Sequence, residues 1–124
     1  MTHLDTHVIV QFYLGDVSKL GKAPRKAIDR DEVQASAAAV LELQFLHEIG
    51  RLKPTAAKVI SALEADIGLR ICDLPFRTVV EYAAAENWTR DPFDRLIVAN
   101  AKAAGAALVT KDENILRHYA QALW

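Results

Sequence analysis

Short apolar runs and longer amphipathic stretches alternate along the chain. The short runs predict strands at residues 2–4, 33–35, 69–72 and 106–109, with a last edge strand at 122–124. The amphipathic stretches predict helices at 6–14, 37–49, 54–67, 75–86, 92–104 and 113–119, and a basic helical segment at 18–28 that Pro24 either starts or breaks. The β-branched residues Val8–Val10 leave a strand open as the alternative there. This alternation predicts an α/β fold, a three-layer α/β/α sandwich with a short parallel central sheet, as a single domain over residues 1–124.

Residues 90–112 carry the clearest local signals. Asp91 is a good N-cap residue, and Pro92 follows at the first helical position, where a missing N–H costs nothing. Gly105 suits the left-handed residue that ends a helix. Asp94 lies one turn before the apolar residues that are predicted to face the sheet. A carboxylate above an apolar face needs compensation, which either the helix N-terminus or a bound cation supplies.

The helix predicted at 37–49 contains a second carboxylate on an apolar face. By the i, i+3, i+4 rule Glu42 shares that face with Ala38, Phe45, Leu46 and Ile49. A glutamate is rarely buried without a partner. Glu42 therefore either lies at the edge of the stripe with its carboxylate in water, or belongs to a site.

Composition fits one ordinary domain of 124 residues, with 52% hydrophobic and 25% charged residues. No apolar run approaches the roughly 20 residues of a membrane span, and no signal sequence is visible, so we expect a cytoplasmic protein without membrane contact. The formal net charge of −1 gives no general attraction for a polyanion, and nucleic-acid binding would need a local patch or a metal. The single cysteine, Cys72, excludes an internal disulfide and a cysteine zinc site, and is expected as a small core residue.

Four acidic residues are predicted to lie near the carboxyl ends of the strands, where parallel sheets bind ligands. Asp5 and Asp112 directly follow strands, Glu42 lies in the helix after the second strand, and Asp94 lies in the helix before the fourth. Two like charges at about 4 Å repel by roughly 4 kcal/mol at an effective dielectric near 20. Such a cluster must be protonated, paired or bound to metal. Carboxylate oxygens suit Mg²⁺ or Mn²⁺, which typically serve phosphate chemistry.

The chain resembles PIN-domain ribonucleases, in particular the toxins of type II (VapBC) toxin–antitoxin pairs. The resemblance runs nearly end to end and rests on the segments LDTH at 4–7, SAAAVLEL at 36–43, RDPFDRLIVA at 90–99 and LVTKD at 108–112. It implies that the catalytic and metal-binding quartet is Asp5, Glu42, Asp94 and Asp112. It also implies Mg²⁺- or Mn²⁺-dependent endonucleolytic cleavage of RNA, inhibition by a cognate antitoxin, and a homodimer.

Further residues surround this quartet. Three are accessory candidates, with Asp91 mainly a helix cap: Thr6, Asp91 and Thr110. Three flank the acids and are candidate contacts for RNA phosphates, unless they are merely solvated: Arg90, Arg95 and Lys111. Trp88 is expected to stack on a base, to contact a partner chain or to anchor its loop. The four histidines show no metal spacing and are expected to be structural or surface residues.

Two other functions stay open. A catalytically inactive PIN-like binding module should have lost one or more acids, and all four are present. A receiver-type phosphoacceptor domain needs an aspartate after a mid-chain strand and a downstream lysine; Lys111 could supply the lysine, but residues 51–54 offer no aspartate. The antitoxin is expected to place a basic side chain beside Asp5 and Asp94, and an apolar segment in a groove between the helices at 6–14 and 37–49. The apolar surface of that groove is expected from Val10, Phe12, Phe45 and Leu46.

Overall fold

A computed structural model describes residues 1–124 as a five-stranded parallel sheet flanked by helices. The strands are β1 (Thr2–Leu4), β2 (Val33–Ala35), β3 (Arg70–Ile71), β4 (Ala107–Val109) and β5 (Ala122–Leu123). The helices are α1 (Thr6–Tyr13), α2 (Lys22–Arg30), α3 (Ala37–Glu48), α4 (Ala56–Ile67), α5 (Phe76–Ala84), α6 (Pro92–Ala104) and α7 (Glu113–His118), with a 3₁₀ turn at Val17–Lys19. The predicted α/β sandwich with a short parallel sheet is confirmed.

The order of the strands defines where a ligand site can form. Across the sheet they run β3-β2-β1-β4-β5, and every neighbouring pair is parallel. The chain leaves β1 toward β2 on one side, and β4 later pairs with the other side of β1. This change of direction makes the carboxyl ends of β1 and β4 the topological switch point, at which a parallel sheet opens a crevice.

Local capping explains most helix boundaries. The Asp91 carboxylate accepts the N–H groups of Phe93 at 2.9 Å and Asp94 at 3.1 Å, and α6 ends at Gly105, which has a φ of 64°. The predicted start of α4 at Pro54 is wrong, because the side chain of Thr55 caps the helix and its first residue is Ala56. Pro24 lies inside the first turn of α2, where proline starts a helix rather than breaking it.

The sequence pattern misjudged two buried positions. The α3 side chains that enter the core are Ala39 and Leu43, whereas Phe45 is 47% exposed and Ile49 is 49% exposed. The predicted stripe was wrong because α3 carries its own apolar side chains on most of its sides, so the sequence pattern does not select one buried face.

Cys72 is half-buried rather than in the core, and its sulfur accepts a hydrogen bond from the Asn100 amide at 3.2 Å. The strand alternative for Val8–Val10 is also wrong, since these residues lie within α1.

No helix combines the length and the apolar character that a membrane crossing requires.

The core contains a histidine that has no hydrogen-bond partner. His3 lies in the central strand β1, is 1% exposed, and neither of its ring nitrogens is hydrogen-bonded. Burial lowers the pKa of this imidazole from 6.5 to about 4. The unfolded chain therefore binds a proton at pH values where the folded chain does not.

We expect His3 to make the protein acid-labile. Its contribution to stability is complete above about pH 6.5 and is lost as the pH falls toward 4, by about 3 kcal/mol in total. Urea unfolding of the wild type and of His3→Leu between these pH values measures the effect, because subtracting the two curves removes the titration of all other groups. A difference in unfolding free energy that is constant across this range would contradict the prediction.

Candidate active site

A cleft of about 380 Å³ opens at the carboxyl ends of β1 and β4. All four carboxylates of the predicted quartet line it: Asp5 after β1, Glu42 on α3, Asp94 in the first turn of α6, and Asp112 at the start of α7. Thr6 lines the cleft as well. The fold thus brings together residues that are more than 100 positions apart in the sequence.

Asp5 is held from two sides. It is 4% exposed; one carboxylate oxygen accepts the N–H of Thr6 at 2.8 Å, and the other accepts the hydroxyl of Thr110 at 2.6 Å. The pairing of Leu4 with Val109 in the sheet explains this geometry, because the next residues of the two parallel strands then lie side by side. Capping and a charge-assisted hydrogen bond together fix the orientation of the carboxylate.

Thr110 also connects Asp5 to Asp112. Its hydroxyl oxygen accepts the backbone N–H of Asp112 at 3.0 Å while its hydrogen is donated to Asp5. Asp112 in turn caps α7 by accepting the N–H of Ile115 at 2.9 Å. A single hydroxyl therefore sets the relative positions of two carboxylates.

Neither Asp94 nor Glu42 forms an ion pair. Burial, and then the charges of Asp91, Asp5, Asp112 and Glu42, raise the pKa of Asp94 to about 7. Burial also raises the pKa of Glu42, with the charge of Asp5 adding to it. Asp91, not Asp94, accepts the first-turn N–H groups of α6, so capping does not account for Asp94.

The donor set fits a hard divalent cation. Every quartet member offers carboxylate oxygens, and the hydroxyl oxygen of Thr6 is buried without a hydrogen-bond partner. No three His, Cys, Asp or Glu side chains stand close enough to form a ready-made coordination shell. Like charges separate when nothing holds them together, so a cation would draw these side chains inward.

His7 contributes to the cleft in a way that the sequence did not reveal. Its Nε2 atom accepts the backbone N–H of Lys111 at 2.9 Å, so its proton is on Nδ1, which faces the Asp5 carboxylate at 3.5 Å. Burial lowers the pKa of this imidazole, which favours its neutral form. His7, expected only as a structural or surface residue, therefore lines the cleft beside Asp5. Its partner lies 104 residues away, so no local pattern could have indicated the contact.

The basic residues that flank the acids in sequence do not line the cleft. The guanidinium of Arg95 donates to the carbonyl oxygens of Ala83 and Ala84 at the end of α5, and its contact with RNA stays a prediction. Arg90 donates to the carbonyl of Asn87 at 2.9 Å but is exposed, and Lys111 is exposed with its ammonium 6.0 Å from the Trp124 ring centroid. Contacts of Arg90 and Lys111 with RNA stay predictions.

Trp88 anchors the loop that leads into α6. Its indole N–H donates to the Glu86 carboxylate at 2.5 Å, and its ring stacks on His118 with centroids 4.8 Å apart and planes 7° from parallel. Of the three roles considered for Trp88, the structure supports the loop anchor. This contact matters for the site because the same loop leads to Asp91 and into α6, whose first turn contains Asp94.

A parallel sheet with acidic residues gathered at its switch point defines a class of α/β domains that suits metal-assisted chemistry. The model of the PIN domain matches residues 3–121, and the chain belongs to the PIN-domain family. It is 32% identical over 118 residues to Ribonuclease VapC22 of Mycobacterium tuberculosis, an alignment that covers 93% of this chain and 89% of that protein.

Solved structures show the same fold. The chain resembles one in VapBC2 from Rickettsia felis bound to a DNA fragment from its promoter, with a TM-score of 0.72 and 18% identity over 99% of this chain and 96% of that one. It also resembles one in a toxin–antitoxin complex from Klebsiella pneumoniae, with a TM-score of 0.68 and 13% identity over 100% of this chain and 97% of that one.

Proposed function

We propose that this PIN domain is a divalent-metal-dependent endoribonuclease that hydrolyses RNA phosphodiester bonds and acts as the toxin of a toxin–antitoxin pair. The observation that carries the proposal is the convergence of Asp5, Glu42, Asp94 and Asp112 in one cleft. Support comes from the likeness to Ribonuclease VapC22 over most of both chains and from the VapBC complexes that share the fold. An inactive binding module would not need to retain four clustered acids, whose mutual repulsion is costly.

The roles of the residues follow from their contacts. Asp5 and Asp94 would hold Mg²⁺ or Mn²⁺ directly, with Glu42 and Asp112 completing its shell. When bound, such an ion orients a water, lowers its pKa and stabilises charge on the phosphate. Thr110 keeps Asp5 in the orientation that this requires, and a carboxylate of the cleft accepts the proton of the attacking water.

The partner proposed for this cleft is a cognate antitoxin. Beside the acids the cleft carries apolar side chains from α1, from α3 and from the segment after it: Val10, Leu46 and Leu52. A basic antitoxin side chain beside Asp5 and Asp94, followed by an apolar segment, would match this surface. The expected groove is corrected at two positions, because Phe12 lies in a separate hollow beside α2 and the Phe45 ring faces Phe93, with centroids 6.2 Å apart.

A second surface of the protein would suit an interface with another copy of the chain. Large apolar side chains are exposed on α3 and α5, namely Leu41, Phe45, Phe76 and Val80. Exposed apolar clusters of this kind mark protein interfaces. We therefore retain the homodimer as a proposal.

The function is tested by incubating the purified protein with single-stranded and folded RNA in Mg²⁺, in Mn²⁺ and in chelator. We expect internal cleavage with either ion and none in chelator, and we expect the antitoxin to suppress it. Cleavage that persists in chelator would overturn the metal dependence. Intact RNA in every condition would overturn the ribonuclease assignment itself.

A further inference from the structure

The acid cleft contains one arginine that no carboxylate neutralises. Arg51 lines the cleft together with all four carboxylates, yet it belongs to none of the ion pairs of the chain. The side chain is exposed, so its charge is available to a ligand that enters from solvent.

The backbone that carries Arg51 is fixed. Gly50 ends α3 in the left-handed conformation, with a φ of 79°, and the N–H of Arg51 donates to the carbonyl of Leu46 at 2.9 Å. The following residue, Leu52, is buried, and its carbonyl accepts a hydrogen bond from His47 Nδ1 at 3.1 Å. Arg51 therefore lies in a hydrogen-bonded turn directly after α3, the helix that also carries Glu42.

The negative charge of the cleft means that RNA binding requires an additional cationic side chain. Four carboxylates bring four negative charges if all ionise, and one divalent ion neutralises only two of them. An RNA phosphate adds another negative charge, so binding needs a cation that is not already engaged. Arg95 is engaged in capping α5, and neither Arg90 nor Lys111 lines the cleft.

We propose that Arg51 binds a backbone phosphate of the RNA strand as it enters the acid cleft. The proposal rests on the ribonuclease function, and it assigns to Arg51 the contact that holds the substrate while the carboxylates hold the metal. The planar guanidinium can donate two parallel hydrogen bonds to non-bridging phosphate oxygens. Such a contact reads no base, so it raises affinity for RNA of any sequence.

The test compares Arg51→Ala, Arg51→Lys and the matched control Lys53→Ala. Lys53 is an exposed cation two residues away that does not line the cleft. Binding of a short fluorescein-labelled single-stranded RNA is followed by anisotropy in Ca²⁺, between about 50 and 200 mM salt. Melting temperatures of the three variants establish that each is folded.

We expect Arg51→Ala to lower RNA affinity at least about tenfold, because its charge-assisted contact with the phosphate is lost. The slope of log affinity against log salt should become shallower by about 0.7, because one phosphate contact on a single strand is lost. Arg51→Lys should keep the slope and lose part of the affinity, since the charge remains but the paired hydrogen bonds do not. In cleavage assays Arg51→Ala should raise KM more than it lowers kcat.

Three results would overturn the proposal. Equal affinity and slope in Arg51→Ala and Lys53→Ala would exclude the contact while leaving the ribonuclease function intact. An affinity loss with an unchanged slope would indicate a displaced loop instead of a lost phosphate contact. A wild type that neither binds nor cleaves RNA would overturn the proposed function, and the role of Arg51 with it.

Discussion

Asp94→Asn is expected to abolish metal-dependent RNA cleavage and, in chelator, to raise the melting temperature. Removing the carboxylate removes a proposed metal ligand, and we expect activity to fall by at least roughly 100-fold, as when a charged transition-state contact is lost. The fold should persist, because Asp91 and not Asp94 caps α6. Stability should increase because the charge of Asp94 is opposed by burial and by its acidic neighbours.

The pH dependence of this gain follows from the raised pKa of Asp94. The unfolded carboxyl ionises near its ordinary value of 3.8, whereas the folded one ionises at about 7. The cost of ionising it in the fold therefore builds as the pH rises between these values and is complete above the upper one. The gain of Asp94→Asn in chelator should be large at about pH 8 and small near pH 4.

A matched variant separates this effect from a general loss of negative charge. Asp66 is an exposed aspartate on α4, outside the cleft, and Asp66→Asn should change neither activity nor melting temperature. Adding Mg²⁺ should stabilise the wild type by mass action and leave Asp94→Asn almost unaffected. Full activity in Asp94→Asn, or equal melting temperatures for wild type and variant in chelator above pH 7, would contradict the assignment.

Features that depend on near neighbours in the sequence could be predicted. The start and end of α6 follow from Asp91 and Gly105, whose side-chain and backbone chemistry act within a few residues. The convergence of the acids followed from the rule that parallel strands place their carboxyl ends at one edge. The structure confirms that the predicted quartet lines one cleft, and its role in metal binding stays a prediction.

Features that depend on distant contacts could not be predicted. The positions of His7 and Thr110 relative to Asp5 depend on the pairing of β1 with β4, which lie about 100 residues apart. Arg51 carried no signal because a charged residue after a helix-ending glycine is ordinarily solvated. The buried face of α3 depended on the helices and the sheet that pack against it, since its own sequence is apolar on most sides.

Lys102→Met is expected to destabilise the protein by about 3–5 kcal/mol, because it leaves a buried carboxylate without its counter-ion. Glu86 is 4% exposed and forms an ion pair with Lys102 of α6, and it also accepts the indole N–H of Trp88. The methionine side chain retains most of the apolar volume of lysine, so the loss isolates the charge. Urea unfolding at neutral pH measures it directly.

A second substitution tests this cause. Glu86→Gln in the Lys102→Met background removes the unpaired charge, yet its amide oxygen can still accept the indole hydrogen of Trp88. We expect the double variant to recover most of the lost stability, and Lys58→Met, at an exposed lysine of α4, to cost little. If the double variant were as unstable as Lys102→Met, the buried charge would not be the cause. Glu86 and Trp88 also anchor the loop that leads to Asp91 and into α6, the helix of Asp94. Lys102→Met should therefore weaken Mn²⁺ binding at temperatures where the variant is folded. The double variant should restore that binding.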